Sequence, residues 1–187
     1  MILVADSIQI HDIPPLRGMW APAGAAVPVP IYGSHHKVVL TGVLNIVSGT
    51  HLCHVSPYFN KEIFQEFLRQ VRSRWRGWRI VLFLDKHSAH TAGVSRALAQ
   101  QLHVELRWLP TATPELNVVD CLWRHVRDQV LANEPLPRLK ATVERAVAYL
   151  RELTPLARLR HAGVLTPLAR LRAVRESLMS KHLCVPT

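Results

Sequence analysis

Cysteine is scarce in this chain: Cys53, Cys121 and Cys184 are the only three in 187 residues. They are too scattered to form a C-x-x-C pair or a disulfide framework, a pattern that fits a reducing cytoplasm. Long apolar runs are missing as well, and no stretch approaches the roughly 20 residues that span a bilayer. The first residues, Met-Ile-Leu-Val-Ala-Asp, reach an acid at once without the basic lead-in of a signal peptide. The expected location is the cytoplasm, with no membrane partner. A glycine-rich phosphate loop and a G-x-S-x-G nucleophile turn are also absent, which sets aside P-loop and α/β-hydrolase chemistry. Charged residues make up 19% against 49% apolar ones, so the composition is that of a folded domain and not of a disordered chain.

Acids are what the end of the chain lacks. Residues 1–134 hold 13 Lys and Arg against 10 Asp and Glu, a net of +3, whereas residues 135–187 hold 10 against 3, a net of +7. A basic tail on a nearly balanced domain points to a polyanion, most simply nucleic acid, although a solvated helix face accounts for the same charges. The chain therefore reads as one domain over 1–134 and a basic helical extension over 135–187.

Hydropathy patterning supplies the elements. Residues 1–10 form a first strand, and the Pro- and Gly-rich stretch 11–34 forms a loop that Trp20 is expected to anchor. Lys37 to Ser48 and His51 to Tyr58 read as two further strands of an antiparallel meander, joined by a turn at Ser48 and Gly49. Asn60 caps a helix whose apolar residues Phe64, Phe67, Leu68 and Val71 recur at helical spacing. Ile80 to Leu84 is a short apolar run best read as a buried strand. A helix is expected over Thr91 to Leu102, with Val94, Ala97, Leu98 and Gln101 on successive turns, then a strand over Val104 to Leu109. Thr113, Pro114 and Glu115 form a helix start, a capping hydroxyl followed by proline and an acid. The helix they open carries Leu116, Val119, Asp120, Trp123 and Val126. The order β-β-β-α-β-α-β-α implies an α/β fold, a mixed sheet flanked by helices. A basic helix over about Arg138 to Leu153 follows. The segment L-T-P-L-A-R-L-R then occurs twice, at 153–160 and 165–172, each Thr-Pro able to open a short helix.

Three aspartates stand out against this layout. Asp85 ends the apolar strand Ile80–Leu84, at the end where open α/β sheets place their ligands. Asp6 closes the apolar run Ile2–Ala5. Asp120 follows Asp85 after thirty-four intervening residues and lies beside Val119 and Trp123 on the later helix. Hard divalent cations such as Mg²⁺ take carboxylate oxygens and leave positions for water and phosphate, and two such ions support phosphoryl transfer. Asp6, Asp85 and Asp120 are thus the candidate catalytic and metal-binding residues. Lys86, Arg124 and Arg127 are the candidates to hold the DNA backbone. A turn residue or an ordinary helix-surface acid is the plain alternative for each aspartate. Glu115 competes as third ligand, although an acid in the first turn of a helix also has a dipole reason to be there.

The segment L-F-L-D-K-H-S-A-H resembles the second-aspartate motif of DDE-type transposases of the mariner superfamily, in the branch that includes bacterial insertion sequences. L-P-T-A-T-P-E-L-N-V-V-D-C-L-W resembles their third-acid motif, and A-D-S followed by R-G-M-W-A-P-A-G resembles the first. The resemblance covers about residues 1–132. It implies an RNase H-like fold that uses two Mg²⁺ or Mn²⁺ ions to cut DNA at transposon ends and join the freed 3′ hydroxyl to target DNA. It also implies His90, Asn117 and Trp123 as supports for the acids, and a homo-oligomer as the active form. Four departures accompany it: Lys86 replaces the usual Asn, Asp120 the Glu of the bacterial branch, and Val118 the usual Pro. The family's helix-turn-helix region is the fourth, so the chain reads as a catalytic domain whose partner would be a separate helix-turn-helix chain. The alternative is an inactive remnant that binds only DNA or a partner chain.

Two other groupings invite a function. His35, His36, His51, Cys53, His54, His87 and His90 match no standard zinc spacing, and H-L-C-H on a strand splits its side chains between two faces. Arg69, Arg72, Arg74, Trp75, Arg76, Trp78 and Arg79 suit phosphate contacts and base stacking, or simply a basic helix end with two half-buried tryptophans.

Overall fold

Side-chain alternation along the first strand sorts the molecule into layers. The computed structural model describes residues 1–25, 27–31, 36–111, 116–133 and 138–164. β1 (Ile2–His11) sends Leu3 and Ala5 into one buried cluster and Val4, Ile8 and Ile10 into another, as a two-residue repeat requires. β2 (Lys37–Asn45) and β3 (His51–Ser56) continue from it as an antiparallel meander. β2 stops at Asn45, whose side chain accepts the N–H groups of Val47 and Ser48, and Gly49 takes the left-handed conformation the turn needs (φ 71°). β4 (Ile80–Leu84) pairs parallel with β1, and β5 (Val104–Trp108) parallel with β4, giving the sheet order β3-β2-β1-β4-β5.

Helices cover both faces. α1 (Lys61–Arg74) starts at Asn60, whose side chain accepts the Ile63 N–H at 2.9 Å, and buries Phe64, Phe67, Leu68 and Val71. With α2 (Ser88–Thr91) and α3 (Gly93–Gln101) it closes over Leu3, Ala5, Leu82 and Leu84. The opposite face takes α4 (Val118–Val126), a wider π turn (Arg127–Leu131), α5 (Leu139–Glu152) and α6 (Pro155–His161). The β-β-β-α-β-α-β-α order expected from the sequence is present, except that its second helix is split into α2 and α3. Val143, Leu150 and Leu159 from α5 and α6 join Ile8, Leu40 and Leu44 in one core.

Several local expectations change. Asp6 does not end a strand, because β1 continues to His11 in pairing with β2. The helix expected over Thr91–Leu102 breaks at Ala92, whose extended backbone (ψ 137°) separates α2 from α3. Val94, Ala97 and Gln101 face solvent, while Ser95 and Ala99 are buried, because the Ser95 hydroxyl donates to the Ala89 carbonyl at 2.8 Å and turns that face inward. Trp20 is fully exposed and anchors nothing. Arg17 fastens the loop instead: it exchanges two 2.8 Å hydrogen bonds with the Asn133 side chain and pairs with Asp128. Leu116 is exposed, and Thr113, Pro114 and Glu115 lie outside the described residues. In the first L-T-P-L-A-R-L-R copy, Thr154 caps α6 by accepting the Ala157 N–H, with Pro155 at the first position. The second copy lies outside the described residues, as do Pro135 to Pro137.

Candidate active site

Register brings Asp6 and Asp85 together. The parallel pair β1 and β4 sets Val4 beside Phe83, so Asp6 and Asp85 each stand two residues further along neighbouring strands. β4 ends at Leu84 while β1 runs on with β2, and the two strands part where the acids lie. Alternation puts Asp6 on the face of Val4 and Ile8, the face that α4 covers. Asp120, in the first turn of α4, approaches from that layer. Burial raises the Asp6 carboxyl to about 7, and the charges of Asp120 and Asp85 add to it, while a backbone hydrogen bond at Ser7 and the Arg127 guanidinium act the other way.

The other two acids already hold partners. Asp85 is 57% exposed and accepts a 2.7 Å hydrogen bond from His90 Nδ1–H and a longer one from the His87 N–H. The His90 bond is the main cause that holds the Asp85 carboxyl below its ordinary value. His90 itself is buried, packed against the rings of Phe59 and Phe64. Asp120 lies 3.5 Å from Arg124 and 4.0 Å from Arg127. Lys86 is exposed beside Asp85. Among the described residues, no three His, Cys, Asp or Glu side chains stand close enough to hold an ion as they are. The donors nevertheless fit a hard divalent cation: they are carboxylate oxygens, and Asp6 is a half-buried carboxyl whose charge two neighbouring carboxylates oppose. Among the described residues, His51, Cys53 and His54 are not gathered into a metal cluster either.

The seat of α4 explains how Asp120 is positioned. Asn117 is the N-cap, its buried side chain accepting the Val119 N–H. Trp123 is buried over Gly42, the residue of β2 that pairs with Asp6. A Cβ at Gly42 would come within 2.6 and 2.7 Å of the Trp123 ring. The close approach needs glycine at that point, directly across from an acid. Sequence reasoning passed over Gly42; its signal was a lone glycine inside the strand run K-V-V-L-T-G-V-L-N. Phe59 was likewise missed.

A five-stranded mixed sheet of this order, with helices on both faces, defines the RNase H-like class, and comparison with known proteins agrees. Solved structures of the mariner Mos1 transposase share the fold: the paired-end complex with Mg superposes with a TM-score of 0.69 at 17% identity, covering 87% of this chain and 51% of that one. The Mos1 paired-end complex with left transposon end gives 0.67 at 15% identity, covering 87% and 51%. The chain belongs to the DDE superfamily endonuclease family, whose model matches residues 1–143. The insertion element IS630 uncharacterized 39 kDa protein of Shigella sonnei is 20% identical over 162 residues, 86% of this chain and 47% of its own length. The uncharacterized protein y4pE/y4sA of Sinorhizobium fredii (strain NBRC 101917 / NGR234) is 38% identical over 80 residues, covering 42% and 57%. The likeness to bacterial insertion-sequence and mariner transposases carried by the motifs is therefore the one these relatives display. The chain spans about half the length of the curated relatives it matches.

Proposed function

We propose that this chain is the catalytic part of a transposase, which cuts DNA at transposon ends and joins the freed 3′ hydroxyl to a target strand. The observation that carries this reading is the register that sets Asp6 and Asp85 side by side where β1 and β4 part, with Asp120 in the first turn of the helix covering the Asp6 face. Asp6, Asp85 and Asp120 would hold two Mg²⁺ or Mn²⁺ ions, which supply Lewis acidity for activating the attacking oxygen and neutralising the leaving one. His90 orients Asp85 through its 2.7 Å hydrogen bond, braced by Phe59 and Phe64. Arg124 and Arg127, now on Asp120, stand ready to take DNA phosphates once a cation replaces them there. Lys86 contributes a further phosphate contact.

The chemistry lies within residues 1–134, and the basic segment 135–187 extends it. DNA is the partner, and Mos1, whose structures include a paired-end complex with left transposon end, supports that choice. Recognition of transposon ends would come from a helix-turn-helix chain, and the active assembly would contain more than one copy of this protein. Among the described residues no helix is long and apolar enough to cross a membrane.

A calorimetric Mn²⁺ titration of the wild-type chain beside Asp85→Asn tests the reading. Saturable binding that the substitution abolishes is expected, followed by metal-dependent cleavage of transposon-end DNA. Absence of binding and of cleavage in a folded wild-type chain, with DNA present, would leave the inactive DNA-binding remnant as the better description.

A further inference from the structure

The arginine and tryptophan run over residues 69–79 lies outside the acid site, and the fold treats its two tryptophans oppositely. Trp75 is buried at the end of α1, whereas Trp78 is 59% exposed. Between them Gly77 adopts φ 82°, which reverses the chain and lifts Trp78 outward. The turn is pinned from within. The Arg72 guanidinium donates to the carbonyl oxygens of both Trp75 and Trp78, and the Trp78 N–H donates to the Trp75 carbonyl at 3.3 Å. A large apolar ring is thus held in water by a turn that is already ordered, which lowers the entropic cost of meeting a ligand.

Charge selects the ligand. Five arginines and no acid lie between Glu66 and Asp85. Arg72 is committed to the turn, but Arg69, Arg74, Arg76 and Arg79 are exposed. Glu105 divides its charge between Arg79 and Arg107, so the surroundings stay positive. Beside the turn a cavity of about 580 Å³ is lined by Arg79, Arg96 and His103 over an apolar floor that includes Ile80 and Val104. This surface stands at the amino end of β4, and the acids at its carboxyl end. Six residues of extended chain, at about 3.3 Å each, separate Arg79 from Asp85 by roughly 20 Å. A strand held here is not the bond addressed by the acids.

We propose that the turn Trp75–Arg79 is a second DNA site, built for a single-stranded segment. An unpaired base stacks on the Trp78 indole while Arg74, Arg76 and Arg79 take the flanking phosphates. Bases in a duplex are already stacked on one another, so duplex DNA would use the arginines and leave the indole idle. The proposal rests on DNA being the partner, but it does not require the acids to bind metal.

Metal-free binding of a labelled oligothymidylate of about 12 nucleotides, followed by fluorescence anisotropy, tests it. The variants are Trp78→Ala and Arg76→Glu, both at exposed positions and checked for an unchanged melting curve. Trp78→Ala is expected to weaken oligothymidylate binding about tenfold or more while leaving affinity for a duplex of equal length almost unaltered. Arg76→Glu is expected to weaken both and to flatten the salt dependence. An oligonucleotide carrying 5-iododeoxyuridine should crosslink at Trp78. Wild-type affinity in Trp78→Ala, or crosslinks confined to other peptides, would overturn the proposal. A chain that binds Mn²⁺ but no oligothymidylate refutes this site and spares the acids; Trp78-dependent binding without Mn²⁺ affinity does the reverse.

Discussion

With its carboxyl raised to about 7, Asp6 sits at its own midpoint near neutral pH, and that has a consequence for stability. In the unfolded chain the carboxyl returns to 3.8, so between the two values the folded state binds the extra proton. The contribution is fully present below about pH 4 and is lost as pH rises through about 7. His51 works in the opposite sense. Burial, aided by the charges of Arg158, Arg151 and Arg74, lowers it to about 4, so its contribution is present above 6.5 and fades as pH falls toward 4. The two overlap, and the raw pH profile therefore cannot isolate Asp6. Urea unfolding in a chelator at pH 5 and pH 8, for wild type and Asp6→Asn, isolates it: the wild type should lose more stability than the variant on going to pH 8. Mn²⁺ should return the stability that the wild type loses at pH 8, because a cation offsets the burial of the Asp6 charge and its repulsion from Asp120 and Asp85. Equal pH slopes in the two proteins would mean that the fold does not raise the Asp6 carboxyl. The acid was legible in the sequence as the first polar residue after an apolar run. The strand over residues 1–10 was legible too, but its pairing with Gly42 of β2, which sets the acid opposite Trp123, was not.

At the scale of elements, the height of α4 above the sheet decides where Asp120 lies. Gly42 and Trp123 set that height, since the buried indole occupies the space that a side chain at 42 would fill. Gly42→Ala is expected to cost about 1–3 kcal/mol, the usual cost of overpacking a closed core. It should also weaken Mn²⁺ binding, because raising α4 carries Asp120 away from Asp6. Trimming the indole in Gly42→Ala/Trp123→Leu should return part of the metal affinity, and the non-additivity of the pair in a double-mutant cycle measures the contact. Strictly additive effects would show that the two residues do not set the helix position together. Spacing located the body of this helix, since Val119, Trp123 and Val126 repeat at helical intervals and all are buried, whereas the described helix is capped by Asn117 and not joined by the exposed Leu116. The same logic failed on α3. There the apolar residues Val94 and Ala97 repeat at a helical interval yet face water, and the hydroxyl of Ser95 points inward to Ala89. Periodicity reads apolar area, and a short helix oriented by one hydrogen bond does not follow it.

At the scale of the whole molecule, the basic segment after residue 134 is tied into the core through α5 and α6. Val143, Leu150 and Leu159 cover the same face as Ile8, Leu40 and Leu44. At about 1.5–3 kcal/mol for each large buried side chain, these three alone amount to roughly 5–9 kcal/mol, comparable with the ~5–15 kcal/mol of a typical domain. Arg158 reinforces the attachment. Its buried guanidinium donates to the carbonyls of Leu150 and Arg151 at the end of α5 and of Gly49 in the β2–β3 turn. Gly49 is hemmed in by the Pro155 backbone, where any Cβ would collide. Charge composition could not reveal this, because arginine counts alike whether it faces solvent or three carbonyls. A chain ended at residue 134 should therefore expose Ile8, Leu40 and Leu44, bind a hydrophobic dye and melt without a cooperative transition. A chain ended at residue 164 should melt cooperatively, and Arg158→Met in that background should lower its melting temperature by leaving three carbonyls without their donor. A cooperative melt from the shorter chain would mean that the sheet and α1 to α4 close a core by themselves. In that case α5 and α6 add positive charge without being needed to close the core.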